Sequence, residues 1–374
     1  MAGIYIHIPF CNSKCNYCNF YSVASSKHLD AYVPALLKEI ALQQPYLEKE
    51  PIETIYIGGG TPSLLGYTQL ASILEKLNKT FEIKPDAEIT IEANPNDLNA
   101  SKIKEFKNLF INRLSIGIQS FFKEDLKYLH RLHSPSQAET AVKRSQDAGF
   151  ENISIDLIYG IPTLSDENWK KNLHYSFSLN VPHISAYSLT VEPNTALNKL
   201  ITKGKLTPVN EEQSIKHFKV LMQQTRENDF LHYEVSNFCK KDYFSKHNSN
   251  YWKGIKYLGL GPSAHSYNKV ERQWNISDTQ KYIEHLDSNK LLYEKEVLSE
   301  TDKLNEYIMT SLRTMWGCDL DYIETYFGIS EKTRLEKKSV QFIDDKKMIN
   351  QKNHLILSDE GFLFADGIAA ELFV

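Results

Sequence analysis

Between residues 4 and 190 two hydrophobic rhythms take turns along the chain. Six short stretches alternate residue by residue: Ile4–Pro9, Thr54–Gly58, Glu88–Ala93, Arg113–Gln119, Asn152–Ile158 and His183–Thr190. A period of two with isoleucine on the repeating position predicts strands. Between them Tyr32–Leu42, Gln69–Leu77, Ser101–Leu109, Gln137–Ala148 and Asn168–Leu179 carry apolar residues at helical spacing, as does Glu211–Glu227 further on. Asp30, Thr68, Asn99, Ser136 and Asp166 stand where N-caps are expected. Six strand–helix units in series predict a parallel sheet, open or curled into a partial barrel.

The two faces of these strands are unlike. One carries Ile4, Ile6, Ile8, Ile89, Ile91, Leu114, Ile116, Ile118, Ile153 and Ile155; the other Tyr5, His7, Thr90, Glu92, Ser115, Gly117, Gln119, Ser154 and Asp156. A parallel sheet sandwiched by helices is apolar on both faces, and a filled eight-stranded barrel is apolar inside. Here the polar face is expected to line a cavity that holds something polar. Glu92, Gln119 and Asp156 fall toward the C-terminal strand ends, where barrel sites form. The plainer alternative is a half-exposed sheet with a solvated polar face.

Beyond about residue 195 the alternation fades. Phe230–Phe238, Lys256–Gly261 and Ala264–Tyr267 read as short strands. Leu304–Met315, Asp319–Phe327 and Ser330–Lys347 read as helices; Ile349–Gln351 and His354–Leu357 form a hairpin-like pair, with a last helix from Asp359 or Glu360. The expected class is α/β: a partial (β/α)6 barrel over residues 1–235, a connecting segment over 236–295, and a smaller mixed α+β domain over 296–374, helical with a small β-wing.

Composition narrows the function. Of 374 residues 41% are hydrophobic, ample for a core without disulfides. Lys and Arg number 43 against 47 Asp and Glu, a net charge of −4 that offers a polyanion no general attraction, so nucleic acid is not an expected partner. No apolar run approaches the roughly 18 residues of a membrane span. Met1–Phe10 lacks the basic stretch and cleavage site of a signal peptide. The expectation is a soluble, cytoplasmic protein for which peripheral membrane contact stays open. Three of the five cysteines, Cys11, Cys15 and Cys18, crowd directly after the first strand. Clustered thiols in odd total number point to a metal or a cluster rather than to disulfides.

The spacing C-x3-C-x2-C suits three thiolates holding three irons of a [4Fe–4S] cluster, leaving the fourth iron open as a Lewis acid. Zinc, with His7 as a fourth ligand, is the structural alternative. The segment Tyr5-Ile6-His7-Ile8-Pro9-Phe10-Cys11 through Cys15, Tyr17 and Cys18 resembles the radical S-adenosylmethionine (SAM) superfamily, in its oxygen-independent coproporphyrinogen oxidase-like branch. Gly58-Gly59-Gly60-Thr61-Pro62 is similar to that family's glycine motif, where a missing Cβ lets the backbone approach SAM. By this resemblance Glu92, Gln119, Arg131 and Asp156 contact SAM, and Tyr5 and Thr190 are further carry-overs. Carboxylates suit ribose hydroxyls and arginine suits the methionyl carboxylate.

One departure bears on activity. The oxidase has a further cysteine two residues past the third, where this chain has Phe20. What it has in addition is His247-Asn248-Ser249-Asn250-Tyr251-Trp252, which resembles a heme-chaperone branch of the family. The resemblance implies heme bound there, with His247 as ligand and Tyr251 and Trp252 as flat apolar surface; His265 is a rival ligand. Cys239 and Cys318 are expected to be unpaired structural thiols. The resulting expectation is a heme chaperone, not an enzyme of porphyrin synthesis, that passes heme to an acceptor hemoprotein of a respiratory chain. The alternative is SAM-dependent oxidative decarboxylation of coproporphyrinogen III.

Overall fold

The computed structural model describes residues 1–25 and 27–374. Six strands, β1 (Ala2–Ile8), β2 (Ile52–Gly59), β3 (Ile83–Ala93), β4 (Arg113–Gln119), β5 (Asn152–Tyr159) and β6 (His183–Ser188), pair in parallel in chain order. Register sets their side chains in rows. Ile6, Ile57, Ile91, Leu114 and Ile153 are neighbours across five strands, and all five are buried. The helices α1 (Leu29–Leu42), α2 (Tyr67–Thr80), α3 (Ala100–Asn108), α4 (Lys123–Tyr128), α5 (Pro135–Asp147) and α6 (Asp166–Ser178) alternate with the strands. Leu36, Leu70, Ile103, Phe106, Val142 and Trp169 from these helices join the same core. The opposite row, Glu92, Ser115, Ser154 and His183, faces inward. The polar face of the sequence is therefore the concave face of a partial barrel.

The sheet does not stop at six strands. After α7 (Ala196–Thr202) and α8 (Glu211–Glu227), β7 (Leu231–Glu234) and β8 (Asn237–Cys239) extend it past β6 in antiparallel sense. The helix α9 (Lys246–Trp252) follows, and β9 (Lys256–Leu260) adds on the other side, parallel to β1. β10 (His265–Tyr267), β11 (Glu271–Asn275) and β12 (Tyr293–Val297) complete twelve strands, with α10 (Thr279–Asp287) packed on α1. β10 turns back within four residues of β9, too short a link for a parallel crossover, so the sheet becomes mixed. At that turn Gly261 has φ +95°, and a Cβ would lie 2.5 Å from the His7 carbonyl oxygen. Neither β11 nor β12 shows apolar alternation. β12 reads Tyr-Glu-Lys-Glu-Val and is exposed throughout, the composition of a guarded sheet edge.

The cap expectations need four corrections. Asn99 caps α3 as expected, accepting from the Lys102 amide. α5 is capped by Ser134 rather than Ser136, because Pro135 takes the first helical position and Gln137 closes a capping box. Ser165, not Asp166, caps α6; Asp166 sits in its first turn. α1 and α2 begin after His28 and Gly66 instead of Asp30 and Thr68.

The C-terminal part comprises α11 (Glu300–Leu312), β13 (Cys318–Asp319), α12 (Leu320–Phe327), α13 (Ile329–Asp344), β14 (Met348–Gln351), β15 (His354–Leu357), α14 (Asp359–Phe362) and α15 (Ala365–Leu372). Its three strands form a separate small sheet. It docks on β7 and β8, where the His232 ring lies between Phe238 and Phe362, at 4.2 and 4.7 Å between ring centres.

Candidate functional site

The chain leaves β1 at Pro9 and returns at Val23, whose amide donates to the Pro9 carbonyl while Cys11 N donates to Val23 O. The cysteine loop lies between these two bonds. Asn16 fastens it to the rest of the fold: its amide donates to Leu129 O, its side chain to Tyr128 O, and its carbonyl accepts from Leu197 N. Cys11, Cys15 and Cys18 are unpaired and half-buried. Burial pushes the Cys11 and Cys18 thiols up from their ordinary range. Among the described residues no three His, Cys, Asp or Glu side chains converge on one ion-sized point. Three thiols spread along a loop suit a cluster with one iron per sulfur better than a single tetrahedral ion.

The glycine motif is explained by what it passes. A Cβ on Gly60 would lie 2.6 Å from Phe10 O and 2.9 Å from Cys11 Sγ; one on Gly59, at φ +110°, would strike the His7 ring at 2.8 Å. These glycines let the end of β2 run against the root of the cysteine loop, which is a packing demand in its own right.

Below the loop a cavity of about 380 Å³ opens between the strand ends. Gly59, Gly60, Thr61, Pro62, Glu92, Gln119, Arg131, Asp156 and Thr190 all line it. Glu92 accepts from the Tyr56 hydroxyl (2.8 Å) and from Gly59 N (3.1 Å). Burial pushes its carboxyl up to about 7. Asp156, also raised by burial, accepts from the Ser115 hydroxyl at 3.2 Å. An irregularity in β4 between Gly117 and Gln119 puts Gln119 at φ +68°. Arg131 donates to Asn94 Oδ1 (2.7 Å) and Gly117 O (2.6 Å), and its other terminal nitrogen stands 3.4 Å from Cys15 Sγ. One guanidinium thus ties the cysteine loop to β4 and to the chain after β3.

Tyr5 and Gly58 lie one layer behind. The Tyr5 hydroxyl pairs with His7 Nδ1 at 3.0 Å and its ring packs on Tyr56. A Cβ on Gly58 would crowd the Glu92 carboxylate at 3.0 Å. Lys14, Asn94, Tyr187 and Arg113 also line the cavity, beyond the residues expected from the sequence. For Arg113 a signal existed: it begins the inward row that continues through Ser115, Gly117 and Gln119.

His247 is elsewhere. It sits on α9 at the opposite end of the barrel, beside the first residues of β1 and β2. Its Nδ1 pairs with the Thr54 hydroxyl at 2.8 Å and its Nε2 with the Tyr251 hydroxyl at 2.9 Å. The ring stacks on Tyr56 at 5.1 Å, is 2% exposed, and burial pushes its pKa down to about 3. It is neutral, with no free nitrogen. Tyr251 stands edge-on to it, and Trp252 is half-buried under the Arg313 guanidinium at 5.4 Å. Of the six-residue motif only Asn248 lines the cavity. The rival His265 is exposed and stacks on Trp274 at 6.0 Å.

Known proteins bear out this architecture. Residues 5–175 match the Radical SAM superfamily, and residues 298–364 match the HemN C-terminal domain. The solved structure of coproporphyrinogen III oxidase (HemN) from Escherichia coli superposes with a TM-score of 0.87 at 22% identity, covering 100% of this chain and 90% of that one, which shows a shared fold. The barrel and its cysteine loop are thus those of a radical SAM protein with a HemN-type C-terminal domain. Within that class, the heme chaperone HemW of Lactococcus lactis is 33% identical over 365 residues, 97% of this chain and 95% of that protein. HemW of Bacillus subtilis is 35% identical over 334 residues (88% of each chain), and HemW of Escherichia coli 33% over 338 residues (88% and 87%). The chain belongs to the HemW family.

Proposed function

We propose that this chain binds heme and passes it to an acceptor hemoprotein, on a scaffold that holds a [4Fe–4S] cluster and SAM. The observation that carries the reading is similarity along 97% of the chain to a protein named a heme chaperone, together with a cysteine loop opening on a polar cavity. Cys11, Cys15 and Cys18 would hold the cluster. When bound, the cluster supplies an open iron for the amino-acid end of SAM and an electron for its reductive cleavage. Gly59, Gly60, Thr61, Pro62, Gln119 and Thr190 shape the space for SAM. Arg131 offsets thiolate charge at Cys15. Glu92, fixed by Tyr56 and Gly59, and Asp156 are placed to take hydroxyl donors.

With both ring nitrogens engaged, His247 serves as a strut in the arrangement described; a ligand role would require it to give up Thr54 and Tyr251. The acceptor we infer is a hemoprotein of a respiratory chain, reached from the cytoplasm. No helix among the described residues is long and apolar enough to cross a membrane.

Phe20, 64% exposed where the oxidase has a cysteine, favours chaperone over oxidase. Anaerobic reconstitution, heme titration and a SAM-cleavage assay with coproporphyrinogen III on one sample test this. Near-stoichiometric heme binding without protoporphyrinogen is the expected result. Protoporphyrinogen formation, or no heme binding, overturns it.

A further inference from the structure

The cavity has a second end that the cysteine chemistry does not use. Arg113, the first residue of β4, is 2% exposed and lines the cavity floor. From Arg113 to Gln119 the strand climbs roughly 20 Å at a strand rise of about 3.3 Å per residue, so the floor is well separated from the cysteine loop. The guanidinium donates no hydrogen bond to any described residue. Its Nε is a buried donor without a partner, and its nearest carboxylate oxygen, on Glu88, is 3.8 Å away. Glu88 is already committed elsewhere: its two oxygens accept the amides of Lys246 and His247 at 3.0 Å each, at the start of α9. Thr90, the register neighbour of Arg113 on β3, also leaves its buried hydroxyl unpartnered. Buried donors left unmade are costly, and an arginine is the most expensive of them.

The other groups facing Arg113 do not satisfy it. Asp156 is engaged by Ser115. His183 is neutral and locked between Ser154 (2.7 Å) and the Tyr233 hydroxyl (2.8 Å). With Glu88 and Asp156 nearby the floor holds no surplus positive charge, so a multiply charged anion is disfavoured and a single carboxylate enters only by competing for the guanidinium itself. A guanidinium with free forks recognises a carboxylate bidentately.

We propose that Arg113 anchors a carboxylate-binding subsite at the floor of the barrel cavity, and that its occupant is sensed by α9 through Glu88. A carboxylate there competes with Glu88 for the same guanidinium and so alters the two backbone bonds that hold the start of α9. This goes beyond the heme reading and does not depend on it.

The test uses the anaerobically purified full chain with propionate as probe, followed by saturation-transfer NMR, and with the Lys246 and His247 amide resonances as a site-specific reporter. Propionate should show transfer that uncharged propionamide does not compete away, and both amides should shift on titration. Arg113→Met should weaken binding at least about fivefold and Arg113→Lys less, because lysine keeps the charge and loses the fork. If Arg113→Met alone does not fold, the Glu88→Gln/Arg113→Met pair, which removes both buried charges, carries the same test. Undiminished transfer in either variant, or displacement of propionate by equimolar chloride, overturns the proposal, as does propionate binding that leaves both amides unmoved.

Discussion

The two ends of the barrel are built from similar materials to opposite effect. At the C-terminal strand ends, thiols, carboxylates and a guanidinium face a cavity, with bonding capacity left over: the cysteines are unpaired, and burial raises the Glu92 carboxyl to about 7. At the N-terminal end, His247, Thr54 and Tyr251 consume one another's polar groups, and the His247 ring stacks on Tyr56. Both ends carry motifs that catch the eye in the sequence. Only the first leaves its candidate metal ligands, the three thiols, unpaired. A motif names residue types; whether they are available is decided by what the fold has already spent them on.

The sharpest break of this comparison is loss of a cluster cysteine. Cys11→Ala, Cys15→Ala or Cys18→Ala should each reduce iron and sulfide after anaerobic reconstitution to background, while the iron-free fold, read by circular dichroism, is unchanged. Next comes His247→Ala. It removes a buried ring and orphans two hydroxyls, and should cost about 3 kcal/mol in denaturant unfolding with iron loading intact. A loss under about 0.5 kcal/mol, with heme binding abolished, would reverse the assignment of His247 from strut to ligand.

Gly60→Ala sharpens the picture of how the loop is seated. Its Cβ must displace Phe10 O or Cys11 Sγ, so a loss of about 2 kcal/mol and reduced cluster occupancy are expected together. Glu92 gives a pH signature. Its folded pKa of about 7 lies above the ordinary 4.5, so the native state binds the extra proton in that interval. The contribution is full below pH 4.5, is lost as pH rises through about 7, and is absent above. It amounts to about 2 kcal/mol for a carboxyl facing a cavity. In iron-free protein, Glu92→Gln should flatten that descent; an unchanged profile would place the titration elsewhere, for instance at Glu234, also raised to about 7. The smallest effect belongs to Trp252→Ala, which loses a half-buried ring's contact with Arg313 and should cost about 1 kcal/mol with no change in iron.

How far the sequence reached follows from the range of the forces involved. The barrel face was legible because isoleucines at a strict period of two leave one arrangement of the inward row, and Glu92, Gln119 and Asp156 fell into place with it. The cysteine loop was legible because its three ligands are local. What escaped depends on long-range docking. β11 and β12 are recruited by neighbouring edges and show no apolar rhythm of their own. The position of α9 is fixed by Glu88 and Thr54, more than 150 residues away in the chain. Yet His247 and Tyr251 stand four apart, the spacing at which helical side chains meet. Once α9 is helical, that spacing brings the two side chains together.

Tyr56 belongs to both ends at once. Its hydroxyl holds Glu92 above, while its ring lies flat on His247 below. A rigid phenol has no slack, so a tilt imposed by whatever settles on the carboxylate reaches the imidazole as a shear of the stack. Stripping the oxygen while keeping the ring would cut that lever and leave each end to respond alone.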